Sequence, residues 1–244
     1  SALAAREKGL PLVNIAQPFK SSGMMLTCRK DMGVNSTADL KGKTLGVWFY
    51  GNEYPFLSWM SRLGLKTDGS ADGVTVLRQG WGVEPLTEGQ AACVSTMSYN
   101  EYWVVRDAGY SPEQLTVFKY QSEGAATLED GLYVHEKNLS DAAFKDKMVR
   151  FVRASMKGWK YAEANPKEAA MIILDNDDAG VQTEKHQVRM MGEIAKLTAG
   201  SNGSLDPADY ERTVKVLMSG DSDPVITKKP SGAWTNEITN AALN

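Results

Sequence analysis

Histidine and cysteine, the usual metal ligands and reactive side chains, are nearly missing: the 244 residues hold two of each. A metal centre needs several His, Cys or carboxylate ligands converging on one point. His135 and His186 stand in unrelated contexts, and Cys28 and Cys93 share no ligand spacing, so no metal site and no cofactor is expected. His186, in the run Glu184-Lys185-His186, reads as part of a solvated helix face, and His135 as a structural residue at a strand end. The cysteines sit in apolar contexts, Leu26-Thr27-Cys28 and Ala92-Cys93-Val94. Those contexts favour two small buried side chains over a disulfide, and the pair does not identify a compartment.

Long apolar runs and charge of one sign are absent too. No stretch approaches the about 20 apolar residues that a membrane helix needs. The start, a helical pattern over 2–8, has neither the basic residues nor the apolar run of a secretory signal and reads as a processed or shortened end. With 27 basic and 30 acidic residues the formal charge is −3. No Lys/Arg block stands out, so nucleic acid is not an expected partner.

Catalytic signatures are missing as well. There is no Gly-x-Ser-x-Gly elbow and no local Cys/His pairing for nucleophilic chemistry. No Gly-Lys-Ser/Thr closes a phosphate loop, and Gly80-Trp81-Gly82 lacks the third glycine of a dinucleotide fingerprint. The sequence reads as that of a binding protein, not an enzyme.

What is present is an alternating pattern. Short β-branched or aromatic runs at 12–15, 44–49, 74–77, 93–97, 115–119 and 131–135 are separated by helix-like segments at 55–63 and 101–108, which predicts an α/β fold with a largely parallel sheet. Beyond about residue 140 the period is helical. Phe144, Met148, Phe151, Val152, Ser155 and Trp159 recur at spacings of three and four and are expected to be core. Further helices are expected at 166–174, 185–197 and 207–218, the last capped by Asp206 and leaving through Gly220. Strand-like crossings near 27–30 and 123–129 imply that 28–125 is an inserted lobe and that 1–27 with 126–244 forms the other, with a cleft between.

Open α/β sheets bind ligands at the turns that follow their strands. Three such turns carry polar and aromatic residues: Trp48-Phe49-Tyr50-Gly51-Asn52-Glu53, then Ser98-Tyr99-Asn100-Glu101-Tyr102-Trp103, then Glu123-Gly124-Ala125. Consecutive aromatics at a strand end point in alternating directions, so at least one faces away from the core. Gly51 would let a ligand approach the backbone. Ordinary packing explains any one aromatic equally well, and the helix dipole any one Glu. Two similar aromatic, Asn, Glu turns in one lobe tilt the set toward binding, with Glu101 as principal anchor.

At Leu40-Lys41-Gly42-Lys43-Thr44-Leu45-Gly46-Val47 the sequence resembles the periplasmic solute-binding proteins of ABC importers that carry thiamine pyrimidine precursors, and their sulfonate- and nitrate-binding relatives. Glu88-Gly89-Gln90-Ala91, Tyr99-Asn100-Glu101 and the stretch from Trp159-Lys160-Tyr161-Ala162 to Asn165-Pro166-Lys167-Glu168 agree with it. The resemblance implies a two-lobed type II periplasmic-binding-protein fold, with the first strand-helix units of lobe 1 absent from this chain. It further implies a small-molecule ligand, a permease partner in the inner membrane, a monomer, and a periplasmic or lipid-anchored location. Hinge closure would capture the ligand. Glu101 would hydrogen-bond an amino-pyrimidine, the turn from Trp48 would line the cleft, and Gln17, Phe19, Lys20, Ser21 and Ser22 stand where the family's first lobe meets ligand. Glu53, Glu101 and Glu123 would oppose a sulfonate or nitrate, the alternative ligand. The remaining alternatives are a pyrimidine-precursor biosynthetic enzyme on the same fold, whose Cys-rich segment has no counterpart here, and a sensory module.

Overall fold

The computed structural model describes residues 1–219 and 224–243. By internal contacts the chain divides into two compact units. One comprises Ser1, Gly23–Thr127 and Lys215–Thr227; the other comprises Ala2–Ser22, Leu128–Val214 and Lys228–Asn244. The lobe boundary expected at 27/28 falls inside the strand Met24–Arg29, which pairs on both sides.

The first unit is built on a five-stranded sheet: β2 (Met24–Arg29), β3 (Thr44–Val47), β4 (Thr75–Arg78), β5 (Cys93–Met97) and β6 (Leu115–Lys119), in the spatial order β4-β3-β5-β2-β6. β3 runs parallel to both β4 and β5, whereas β2 is antiparallel to β5 and to β6. The sheet is therefore mixed, not largely parallel as expected. β2 is buried along almost its whole length, and a continuous apolar run carries no information about strand direction.

Helix α2 (Glu53–Arg62) covers this sheet, with Pro55 in its first turn, where a missing N–H is harmless. Phe56, Trp59 and Met60 recur at helical spacing on one buried face and join Leu26, Leu45 and Val47 in the core. Trp59 packs at 5.7 Å from Phe118 and 5.5 Å from Tyr120. Gly64, at φ 70°, ends the helix in a left-handed turn.

Two local features tie the sheet together. Cys28 and Cys93 stand directly opposite each other on β2 and β5, with Cα atoms 3.9 Å apart, and form a disulfide. This corrects the reading of two unbonded buried thiols. Apolar context predicted the burial, but the pairing depends on a register that joins residues 65 apart in sequence. Secondly, Gln79, just after β4, reaches across β3 to β5: its Nε2 donates to Ser95 O at 2.9 Å and its Oε1 accepts from Ser95 N at 2.8 Å. It passes over Gly46. A Cβ there would meet Gln79 Oε1 at 3.2 Å and Val94 Cγ1 at 2.9 Å, so only glycine lets the amide cross.

The second unit pairs β1 (Leu12–Ala16) antiparallel with β7 (Leu132–His135) and packs helices around them. The long helix α5 (Ala142–Ala164) starts at Asp141, whose carboxylate accepts N–H groups of Ala143 and Phe144. Its Val152 and Met156 are buried against Val13 and Ile15, with Met148 and Trp159 partly buried beside them. Phe151, expected in that stripe, is 51% exposed instead. It precedes Val152 by one position, about 100° around the helix, and so lies off the buried face.

Helices α6 (Pro166–Asp175), α7 (Glu184–Thr198) and α8 (Pro207–Met218) follow where the period predicts them. Asp206 Oδ1 accepts the N–H of Ala208 at 2.8 Å; Gly220 lies outside the described residues. Helix α9 (Glu237–Leu243) was not foreseen, since seven residues are too few for the period to stand out.

Candidate ligand-binding site

In the first unit, β4, β3 and β5 run parallel, so the turns that follow them leave the same edge of the sheet. The register fixes how closely they neighbour. Val47 pairs with Arg78, and Gly46 with both Leu77 and Val94. The turns after β4 and β5 therefore flank the turn after β3, one strand spacing of about 4.8 Å to each side.

The turn after β3 is tightly shaped. Trp48 rests partly against the core and its indole Nε1 donates to Gly80 O at 2.9 Å, fastening this turn to the next. Tyr50 then points outward, 86% exposed, as the alternation of the aromatics requires. Its φ of 64° is left-handed, and Gly51 follows at 102°; such a conformation costs about 1–3 kcal/mol for a non-glycine residue. Gly51 is thus needed by the turn itself. Its N–H donates to Glu53 Oε2 at 2.7 Å, and Asn52 Nδ2 donates to Phe49 O at 3.3 Å.

Arg78 holds the exposed ring in place. Its guanidinium carbon lies 4.9 Å from the Tyr50 ring centre and 5.4 Å from that of Phe49, within cation–π range. Its Nη2 donates to the Tyr50 hydroxyl. Three residues on, Trp81 is 96% exposed. Neither Arg78 nor Trp81 was foreseen as part of the site, because Gly80-Trp81-Gly82 was weighed only as a phosphate motif. The rule that drew attention to the turns after β3 and β5 applies equally to β4 and would have found both.

The turn after β5 opens helix α4 (Glu101–Asp107). Glu101 folds back over it: Oε2 accepts from Met97 N at 2.9 Å and Oε1 from Asn100 Nδ2 at 2.7 Å. Burial pushes this carboxyl above the ordinary carboxylate range, while those hydrogen bonds pull the other way. The Glu101 backbone N–H also bonds this carboxylate, which offers about four acceptor positions in all. Tyr99 and Asn100 are half-buried beside it, and Trp103 Nε1 donates to Ser98 O at 3.0 Å.

The other expected residues are placed differently. Glu123 and Gly124 are clasped through their carbonyls by Arg62, at 2.8 Å each. Arg62 is the last residue of α2, the far end from Glu53. In the second unit Gln17 is buried, with Nε2 donating to Phe19 O and Glu129 O and Oε1 accepting from Asn14. Phe19 is buried edge-on against Trp159 at 5.6 Å. Lys20 Nζ donates to Ser204 O at 2.7 Å, Ser22 donates to Glu129, and Ser21 is half-buried. Gln17, Phe19 and Lys20 thus take part in the unit's own packing and hydrogen bonding. No group of three His, Cys, Asp or Glu able to hold a metal occurs among the described residues, and none of their helices is long and apolar enough to cross a membrane.

Comparison with known proteins places the fold in a class. The fold is that of periplasmic substrate-binding proteins. It superposes with a TM-score of 0.71 on a protein from Bordetella bronchiseptica RB50, 20% identical over 99% of this chain and 77% of that one. On the periplasmic aliphatic sulphonate binding protein SsuA from Escherichia coli the score is 0.58, at 14% identity over 94% and 70% of the two chains. The desulfurization enzyme DSZB scores 0.58, at 14% identity over 96% and 79%, so the same fold also carries catalysis.

Within this class the chain belongs to the NMT1/THI5 like family, which matches residues 1–169. A relative from Halalkalibacterium halodurans, described as a formylaminopyrimidine-binding protein, is 24% identical over 96% of this chain and 72% of its own length.

Proposed function

We propose that the chain is the substrate-binding component of an ABC importer and captures a small nitrogen heterocycle akin to a thiamine pyrimidine precursor. The observation that carries this reading is the turn after β5, where the Glu101 carboxylate stands among aromatic residues at the strand edge that α/β sheets use for ligands. A carboxylate accepts hydrogen bonds from exocyclic and ring N–H groups, and Trp48, Phe49 and Tyr50 offer faces for a flat ring. Family membership and the formylaminopyrimidine-binding relative support the ligand class. A buried disulfide suits an oxidising compartment, in keeping with a periplasmic or lipid-anchored location. A monomer that hands its ligand to a permease after hinge closure completes the proposal.

Calorimetry with hydroxymethylpyrimidine-like compounds, together with mass spectrometry of co-purifying small molecules, tests it. Micromolar or tighter binding of such a ring supports the reading. Tight binding of taurine or nitrate with none of any nitrogen heterocycle would sink it. The sulfonate or nitrate reading has one observation in its favour, the cation Arg78 at the neighbouring turn. The enzyme reading would require bound iron or turnover of pyridoxal phosphate.

A further inference from the structure

Arg78 stands apart from seven other arginines of the described chain. Arg6, Arg29, Arg150 and Arg212 pair with carboxylates, and Arg62, Arg106 and Arg153 donate to backbone carbonyls. Arg78 does neither. Among the described residues its hydrogen-bonding partner is the Tyr50 phenol, and two rings flank its guanidinium. A guanidinium carries five N–H donors in a planar fork suited to carboxylate-like anions, so most of this cation's capacity is unspent. The turn that presents Tyr50 to it adopts a left-handed backbone that an aromatic residue avoids, and strain of that kind collects at functional sites.

We infer that Arg78 is the anion-recognising residue of this site, and that the ligand is a flat nitrogen heterocycle bearing an acidic substituent such as a carboxylate. The inference rests on the heterocycle reading above. Arg78 ends β4 and Glu101 follows β5, with β3 between them, so two strand spacings, about 10 Å, separate the strands that carry cation and carboxylate. A substituted six-membered ring with a hydrogen bond of about 2.9 Å at each end spans such a gap. One end would then be read by an acceptor and the other by a cation, with Tyr50 and the exposed Trp81 available to the ring. This separates the anion from Glu101: the anion meets the turn after β4, not the one after β5.

The test is calorimetry on the full chain in low-salt buffer with two probes, 4-amino-2-methylpyrimidine carrying a 5-carboxylate and the same ring carrying a 5-hydroxymethyl group. The wild type should prefer the acid by about tenfold or more, a preference that narrows as salt screens the partly exposed pair. Arg78→Met should cut acid affinity at least about tenfold more than alcohol affinity, and Arg78→Lys should restore part of the difference. Thermal melting establishes that each variant is folded. An acid-to-alcohol ratio unchanged by Arg78→Met overturns the role of Arg78 and leaves the heterocycle reading standing. If neither ring binds at millimolar concentration, both fall together.

Discussion

Glu101, the proposed anchor for ligand, already has a structural task. It caps the end of β5 through Met97 and Asn100, a role open to any carboxylate at a helix start. Glu101→Gln should weaken binding of an N–H-donating heterocycle by about 1–3 kcal/mol, measured by calorimetry; unchanged affinity would remove Glu101 from the site. Its raised pKa also sets a pH dependence. In the window between the unfolded and folded pKa values the folded state binds more protons, so this group's contribution to stability falls as pH rises through that window and is constant above it. Urea melts from pH 4 upward should show Glu101→Gln gaining on the wild type as pH increases; a pH-independent difference would contradict the shift. At Gly46 the constraint is steric. Gly46→Ala places a methyl group 2.9 Å from Val94 Cγ1 and in the path of Gln79, and should cost about 1–3 kcal/mol in denaturant melts. Nothing local in the sequence announces that need, because the crossing side chain arrives from another strand.

Among the elements, β2 and β5 matter most, since their antiparallel register carries the disulfide. Linking residues 65 apart removes closure entropy from the unfolded chain. The double variant Cys28→Ala/Cys93→Ala should therefore lose about 2–4 kcal/mol against oxidised wild type in guanidinium melts. An unchanged midpoint would show the bond to be dispensable. Helices were the most legible elements: α5 to α8 follow their apolar period, and Asp141 and Asp206 mark two starts by their capping chemistry. Six strand positions were nearly as clear, but β2 was legible only as a crossing near 27–30, and the crossing expected at 123–129 is turn and irregular chain, not strand.

On the scale of the whole chain, a ligand that binds only the folded state raises its stability by about 2.7 kcal/mol at 100 times Kd. That corresponds to a rise in Tm of about 5–10 °C for a chain of this size. A differential scanning experiment with the pyrimidine probes should show such a shift, and none with nucleic acid, for which the charge balance offers no attraction.

Most of the candidate site is legible as turns after strands. The segments at Trp48 and Tyr99 follow recognisable strands, and aromatic alternation put one ring outside, which is Tyr50. Gln17 and Phe19 also follow a strand, but sequence cannot distinguish a polar or aromatic residue that faces ligand from one consumed by packing. Arg78 was overlooked because its interest comes from its neighbours: a lone arginine at a strand end says little until Phe49 and Tyr50 are beside it and, among the described residues, no carboxylate is paired with it.

By itself the sequence determined the α/β class, the helical C-terminal part and the turns that could meet a ligand, because hydrophobic period, caps and turn residues act within a few positions along the chain. Only the tertiary structure decided the mixed direction of the sheet, the Cys28–Cys93 bond, the passage of Gln79 over Gly46 and the company Arg78 keeps. Each depends on register between strands distant in sequence, and register is set by how whole faces pack together.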